Sequence, residues 1–479
     1  MSEILRPDIC IIGAGAAGLS VAAAAAAFGV PAVLVERDEM GGECLHTGCV
    51  PSKALIAAAR AAHGPRSPLC LVDGKPEAEA EFNRAIAHVK AVIAEIAPAD
   101  SQARYAAMGV TVLKGDATFI DRETVQLGEN SIKARRFVIA CGSRPAIPNI
   151  AGLEATPYLT NETIFELKER PRHLLIIGAG PMGCELGQAF RRLGSEVTLF
   201  DMGSSLSRED REFAGIVGSA LARDGVLVRE RTPIAALAAT NGQIRLHFTD
   251  EAGSPGDVTG SHLLLATGRT PVVDSLGLEA GFIKYDKSGI IVDGHMRTSN
   301  RRVYAIGDCA GGSVSGCRFT NAASSQAGVV IRAILFGMWP KFDLMLVPRV
   351  TYTDPEIAAV GLSEEEARAQ YRRIRILRFP IGEIDRAKIE AEREGLVKVI
   401  ATDNGRILGA GICGRNAGEM ISLWTLALSE RMKLSRIAGL AMPYPTVGEA
   451  SKRAAIEFYA PLARRPLVRR IIGWLRMFG

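Results

Sequence analysis

A chain of 479 residues is too long for one ordinary domain and sets an expectation of about three. Its 48% hydrophobic and 23% charged residues are those of a globular protein. The net charge of +5 equals the contribution of Arg464, Arg465, Arg469, Arg470 and Arg476, so the rest of the chain is near neutral. With no basic stripe interleaved with aromatics elsewhere, nucleic acid is not expected as a partner.

The opening "MSEILRPDIC" has no basic stretch followed by a small-residue cleavage site, so no signal peptide is read there. Nine cysteines, spread from Cys10 to Cys413 without a regular framework, point to a reducing cytoplasm.

From Ile9 to Val35 no residue is charged, a run long enough to span a bilayer. Gly13, Gly15, Gly18, Gly29 and Pro31 break it into a strand "DICIIG", an alanine-rich helix and a second strand "PAVLVE". That pattern is a buried β-α-β unit. It carries Gly13-Ala14-Gly15-Ala16-Ala17-Gly18 and ends at Glu36. In such a unit the first glycine makes the turn and the second admits a pyrophosphate. The third lets helix and strand pack, and the acid accepts hydrogen bonds from a ribose.

"GGECLHTGCVPSKAL" follows, with Cys44 and Cys49 in a glycine-rich loop just before Lys53. The residues alone allow two buried cysteines, two zinc ligands, a structural disulfide or a reactive pair.

"HLLIIGAGPMGCELGQAFRRLGSEVTLFD" then repeats the first unit, with Gly178, Gly180 and Gly183 and an acid at Asp201. One such fingerprint is weak; two, each after an apolar strand and closed by an acid, predict two bound dinucleotides. "RRFVIACGSRPAIP" and "SHLLLATGRTP" read as strands ending in glycine-rich turns, and "RRVYAIGDCAGG" as a strand delivering Asp308 to a loop. After about Leu346 the pattern becomes that of a separate α+β domain.

These motifs together resemble the FAD-dependent pyridine nucleotide-disulfide oxidoreductases, which include dihydrolipoamide dehydrogenases, glutathione reductases and mercuric reductases. The resemblance implies an α/β fold: two Rossmann-type dinucleotide-binding domains and a C-terminal α+β dimerisation domain. FAD is expected on residues 1–150 and 271–345, NAD(P) on 151–270 and the dimer interface on 346–479. It implies a homodimer whose active site is shared between subunits, with Cys44 and Cys49 as a redox disulfide. Cys49 would be the flavin-side sulfur and Cys44 the one that meets substrate. Lys53 would lie beside the flavin, with Glu185 as its partner. Glu36 would hold the FAD ribose and Asp308 the ribityl chain. Gly42, Ala117, Gly142, Gly268 and Arg269 complete the expected cofactor positions. No resident metal site is expected; zinc would need a second ligand pair at suitable spacing, and a staple this short restrains little of the unfolded chain.

The sequence departs from many members at "AMPYPTVGEASKR". Tyr444-Pro445 stands where the resemblance implies His-Pro, and Glu449 keeps its place. None of the seven histidines lies beyond His295, so nothing nearby replaces the imidazole. A tyrosine, with an ordinary pKa of about 10, is a poor base at neutral pH. Mercuric reductases resemble the chain here, but they usually add a C-terminal vicinal cysteine pair, whereas the last cysteine here is Cys413. His46, between the redox cysteines, is either a local acid/base or a hydrogen-bonded loop residue.

The leading expectation is an NADH-driven reductase, with NADPH less favoured because of Asp201, acting on a small disulfide or a thiophilic metal ion. The alternatives are a dihydrolipoamide dehydrogenase and, from another class, a membrane-associated redox sensor that turns over little. "PLVRRIIGWLRMF", drawn as a helix, puts Leu467, Ile471, Trp474, Leu475 and Phe478 on one side and Arg469, Arg470 and Arg476 mostly opposite. It reads either as a helix docked on the protein or its dimer mate, or as peripheral membrane contact through residues 464–478.

Overall fold

The structure is a computed structural model that describes residues 4–63, 78–463 and 465–478. Arg464 and the first three residues of the N-terminal stretch lie outside the described residues.

The uncharged run from Ile9 to Val35 is a strand, a helix and a strand. Ile9–Ile12 and Ala32–Glu36 lie side by side in parallel, joined by the helix Ala16–Ala27. Parallel strands are covered on both faces, which is why both read as unbroken apolar runs. Eight of the helix's twelve residues are alanine, so it packs closely on the helix Thr320–Phe336.

The sheet has five parallel strands in the order Val303–Ala305, Arg136–Ile139, Ile9–Ile12, Ala32–Glu36 and Thr111–Lys114. Its edge strand comes from far down the chain, so one hydrophobic core contains Ile11, Phe137, Tyr304 and Val330.

The second fingerprint builds a separate parallel sheet in the order Leu227–Arg229, Glu196–Phe200, His173–Ile177 and His262–Leu265. A three-stranded antiparallel sheet over residues 234–260 is inserted before its last strand. The helices Cys49–His63 and Ala78–Ile96, from the first segment, pack against this unit's helix Pro181–Arg192 in a shared core that includes Leu55, Phe82 and Phe190. That packing positions the candidate site.

From Arg349 onward a five-stranded antiparallel sheet forms, with Ile407–Gly414 at its centre and buried along its whole length. The helices Ala417–Ser429 and Glu449–Glu457 cover one face, around Trp424 and Val399. The other face, which the sequence pattern did not mark, carries a smaller cluster of Ala367, Ile400 and Leu408 under the helix Glu364–Gln370.

The chain's final described helix is Pro466–Leu475. Among the described residues no helix is long and apolar enough to cross a membrane.

Candidate redox-active site

The two fingerprints have the same local geometry. The Ala14 N–H donates to Glu36 Oε2 at 2.6 Å, and the Ala179 N–H to Asp201 Oδ2 at 2.8 Å. Gly13 and Gly178 have φ of +103° and +106°, a region that disfavours side chains. A Cβ on Gly18 would lie 1.9 Å from the Gly13 carbonyl oxygen, and one on Gly183 1.9 Å from that of Gly178. A Cβ on Gly15 or Gly180 would meet nothing within 4 Å. Each turn therefore packs its third glycine tightly and leaves the helix N-terminus beside its second glycine open, as a bound pyrophosphate requires.

A cleft of about 400 Å³ runs from the first turn; Gly13, Gly15, Glu36, Gly42, Ala117 and Gly142 are among its walls. The residues of the first fingerprint thus fit a dinucleotide. Gly42 lies against the turn, since a Cβ there would approach Gly15 Cα at 2.8 Å.

Cys44 sits in the short helix Gly42–His46, and Cys49 opens the helix Cys49–His63. Both are free thiols; Cys49 is exposed and Cys44 half-buried. Their sulfurs are hydrogen-bond partners. The Thr320 hydroxyl bridges them, donating to Cys44 Sγ at 3.3 Å and lying 3.5 Å from Cys49 Sγ. The hydrogen bond from Cys44, helped by Thr320 and the Lys53 ammonium, brings the Cys49 thiol down to about 6. The same contact with Cys49, together with burial, pushes Cys44 well above an ordinary thiol. At neutral pH the pair holds its negative charge on Cys49.

One turn along the helix, Lys53 Nζ donates to Glu185 Oε2 at 2.8 Å. Glu185 is buried and its other oxygen accepts the Tyr352 N–H at 2.8 Å. Burial disfavours the ammonium, but Glu185 outweighs it and Lys53 stays above the ordinary lysine range. The ammonium also stands 4.7 Å from the centre of the Tyr352 ring.

Asp308 accepts from the Ser143 hydroxyl at 2.6 Å. Its loop is braced by Gln326, whose Oε1 accepts the Gly307 N–H at 2.7 Å. Arg269 turns toward this same group: it donates to Ser143 Oγ and to the Ser143 carbonyl, each at 2.7 Å, and pairs with Glu43. Burial pushes the Glu43 carboxyl up to about 7 against the pull of Arg269. Gly268, just before it, has φ +100° and open space where a Cβ would be.

His46, the last residue of the helix Gly42–His46, is hydrogen-bonded on the cleft wall; its Nε2–H donates to the Met40 carbonyl at 2.8 Å, and its Nδ1 lies 3.2 Å from Glu39. Tyr444 and Glu449 are not joined to the cysteines within one chain. Tyr444 is 71% exposed and its hydroxyl donates to Asp385 at 3.1 Å. That bond, ahead of the nearby charge, raises the phenol above its ordinary pKa. Glu449 begins the helix Glu449–Glu457.

Residues 7–327 match the family model of the pyridine nucleotide-disulphide oxidoreductases, and 347–455 match that family's dimerisation domain. The chain belongs to this family. It is an oxidoreductase using FAD and a pyridine nucleotide, and it carries the family's means of forming a homodimer. The chain is 34% identical to a mercuric reductase of Streptomyces lividans over 469 residues, covering 95% of this chain and 97% of that one. It is 33% identical to the mercuric reductase of Lysinibacillus sphaericus over 455 residues, covering 94% and 82%. Among solved structures, the HOCl-induced flavoprotein disulfide reductase RclA of Escherichia coli, in its Cu(II) complex, superposes with a TM-score of 0.82 at 26% identity, covering 94% of this chain and 99% of that one.

Proposed function

We propose that the enzyme is an NADH-driven reductase that delivers two electrons through Cys44 and Cys49 to a small disulfide or a thiophilic metal ion. The observation that carries this reading is the thiol pair itself: two free, neighbouring sulfurs bridged by Thr320, with the Lys53 ammonium favouring the thiolate.

The division of the chain that goes with this reading gives FAD residues 1–150 and 271–345, the nicotinamide coenzyme 151–270 and the interface 346–479. Gly13, Gly15, Gly18, Glu36, Gly42, Ala117, Gly142 and Asp308 would hold FAD. Gly178, Gly180, Gly183, Asp201 and Gly268 would hold the coenzyme. Arg269 serves the FAD side in this reading, because its partners Glu43 and Ser143 line that cleft. When bound, FAD supplies a two-electron relay from the nicotinamide to the cysteine pair.

The residues' own chemistry follows. With the pair reduced, Cys44 gives its proton to the neighbouring Cys49 thiolate as its sulfur attacks one sulfur of a substrate disulfide. The substrate S–S bond breaks, one thiolate leaves, and a mixed disulfide remains on Cys44. Cys49 passes that proton to the departing thiolate, attacks the Cys44 sulfur and expels the second substrate thiolate, restoring the Cys44–Cys49 bond. Solvent protonates the second leaving group, so one disulfide, one NADH and one proton become two thiols and NAD⁺. A soft metal ion would instead be captured by the thiolates. Neither substrate brings a proton that must be removed in the first step; the only proton moved is that of Cys44.

Dihydrolipoamide oxidation, the rival reading, needs a group to deprotonate an incoming dithiol. Tyr444 is a poor one, the more so with its phenol bonded to Asp385. The test is a trap: the reduced, FAD-loaded Cys49→Ser protein treated with an aromatic disulfide should release one aryl thiol and retain the other half on Cys44 by peptide mass. An adduct on a different cysteine, with Cys44 untouched, refutes the assigned roles.

A further inference from the structure

The helix Pro466–Leu475 lies beyond both family-model matches, the second of which ends at residue 455, and the redox chemistry makes no use of it. Its apolar face is bare. Trp474 and Phe478 are 57% and 73% exposed, in edge-to-face contact with ring centres 4.9 Å apart, and Leu467, Ile471 and Leu475 beside them are also exposed. At 100° per residue those five side chains occupy one arc, and Arg469, Arg470 and Arg476 lie off it. Arg465 stands just before the helix, and no acidic residue follows Glu457.

We propose that residues 465–478 dock this enzyme on the surface of an anionic lipid bilayer. Charge selects that occupant. Self-pairing of two such helices through that arc would cover the apolar side chains but leave the guanidinium groups, which lie off it, turned away from the partner helix. A membrane surface offers phosphate diesters to the guanidinium groups and acyl chains to the leucine, isoleucine and aromatic side chains. Tryptophan at the boundary between headgroup and acyl chain suits a ring with one polar edge. The ten-residue helix is about 15 Å long, half of a bilayer's hydrocarbon thickness, so it lies in the interface and does not span it. Docking would hold a reductase where poorly soluble oxidised substrates collect, and it leaves Cys44 and Cys49, on separate elements, free to turn over.

The test is co-sedimentation of the FAD-loaded full chain with vesicles of equal phosphatidylglycerol and phosphatidylcholine, and with phosphatidylcholine alone. We expect about tenfold more protein bound to the anionic vesicles, a loss of binding as salt is raised, and a blue shift of tryptophan emission absent in Trp474→Phe. The chain cut after Ala463, and the full-length Trp474→Glu/Leu475→Glu variant, should stay in solution with NADH oxidation unchanged. The proposal is overturned if the cut chain binds as well as the full one, or if the full chain ignores anionic vesicles at low salt. It is equally overturned if the cut converts dimer to monomer while the intact dimer stays off the vesicles, which would give the face to a second copy.

Discussion

Lys53 Nζ stands 2.8 Å from Glu185 Oε2, and this ion pair joins the helix that carries Cys49 to the helix that opens the second fingerprint. The pair lies 132 residues apart in sequence and crosses the boundary between the two nucleotide-binding units. Glu185→Gln keeps an acceptor for the Tyr352 N–H but removes the countercharge. We expect it to fold, to bind FAD, and to slow NADH-driven reduction by about ten- to a hundredfold. Glu185→Ala also leaves the Tyr352 N–H and the Lys53 ammonium without their acceptor. It should lower stability by about 2–4 kcal/mol, read as a fall in the thermal midpoint. A Glu185→Gln enzyme with unchanged turnover removes the pair from the mechanism.

Because the Cys49 thiol is lowered to about 6, its thiolate is present above that pH and lost below it. In the two-electron-reduced holoenzyme the long-wavelength thiolate–flavin absorbance should grow as pH rises through that value and then level off. Cys44→Ser should keep the band, and Cys44→Ala, which has no donor, should keep it but move its midpoint upward, since the hydrogen bond from Cys44 is the largest cause of the shift. Cys49→Ser should abolish it. A band that survives Cys49→Ser places the flavin-side sulfur on the wrong residue.

The open and closed glycines of each fingerprint should separate binding from folding. A Cβ at position 180 meets nothing within 4 Å, so Gly180→Val should leave FAD content and thermal stability near wild type while raising KM for NADH several-fold. Gly183→Ala drives a methyl to 1.9 Å from a backbone oxygen and should cost folding as well. If Gly180→Val instead loses FAD and leaves NADH binding intact, the two fingerprints have been assigned to the wrong cofactors.

Coenzyme choice rests on Asp201. Its carboxylate is oriented by the Ala179 and Gly203 N–H groups, each at 2.8 Å, with capacity left for ribose hydroxyls. A 2′-phosphate would face that negative charge, and the nearest arginine along the chain after the strand is Arg208. We expect NADH to be preferred in kcat/KM. A ratio favouring NADPH by about tenfold, ~1.4 kcal/mol of transition-state stabilisation, contradicts this.

The parts of the site legible in the sequence were those fixed by short-range backbone geometry. The two fingerprints each need three glycines and an acid within one β-α-β unit, and the cysteine loop is contiguous. Both nucleotide turns and the Cys44/Cys49 segment are therefore legible before any tertiary contact is known. What was missed comes from chain segments that meet only on folding. Thr320, which bridges the two sulfurs, lies 276 residues from Cys44 and sits in no recognisable motif. Tyr352 and Gln326 are of the same kind. Glu43 and Ser143 lie inside the sequence motifs, but nothing local joins them to their mutual partner Arg269, whose guanidinium turns toward them only on folding. The second face of the C-terminal sheet escaped notice because Ile400 and Leu408 alternate with the residues of the larger core, and the helix that covers them is short and acidic.

The central claim is that electrons leave this enzyme toward an oxidised substrate and that Tyr444 marks the loss of dithiol oxidation. Steady-state turnover of the FAD-loaded dimer, with NADH plus an activated disulfide or Hg(II) in one direction and NAD⁺ plus dihydrolipoamide in the other, tests it most directly. The account expects competent NADH oxidation dependent on both Cys44 and Cys49, and dihydrolipoamide oxidation lower by about 10² to 10⁴ than a histidine-bearing site would give. Tyr444→His should raise the latter, because Glu449 is present to orient the new imidazole. Dihydrolipoamide oxidation at hundreds per second by the wild-type enzyme, toward the upper end of ordinary turnover numbers, or a rate unmoved by Tyr444→His in a folded, FAD-loaded dimer, would contradict it.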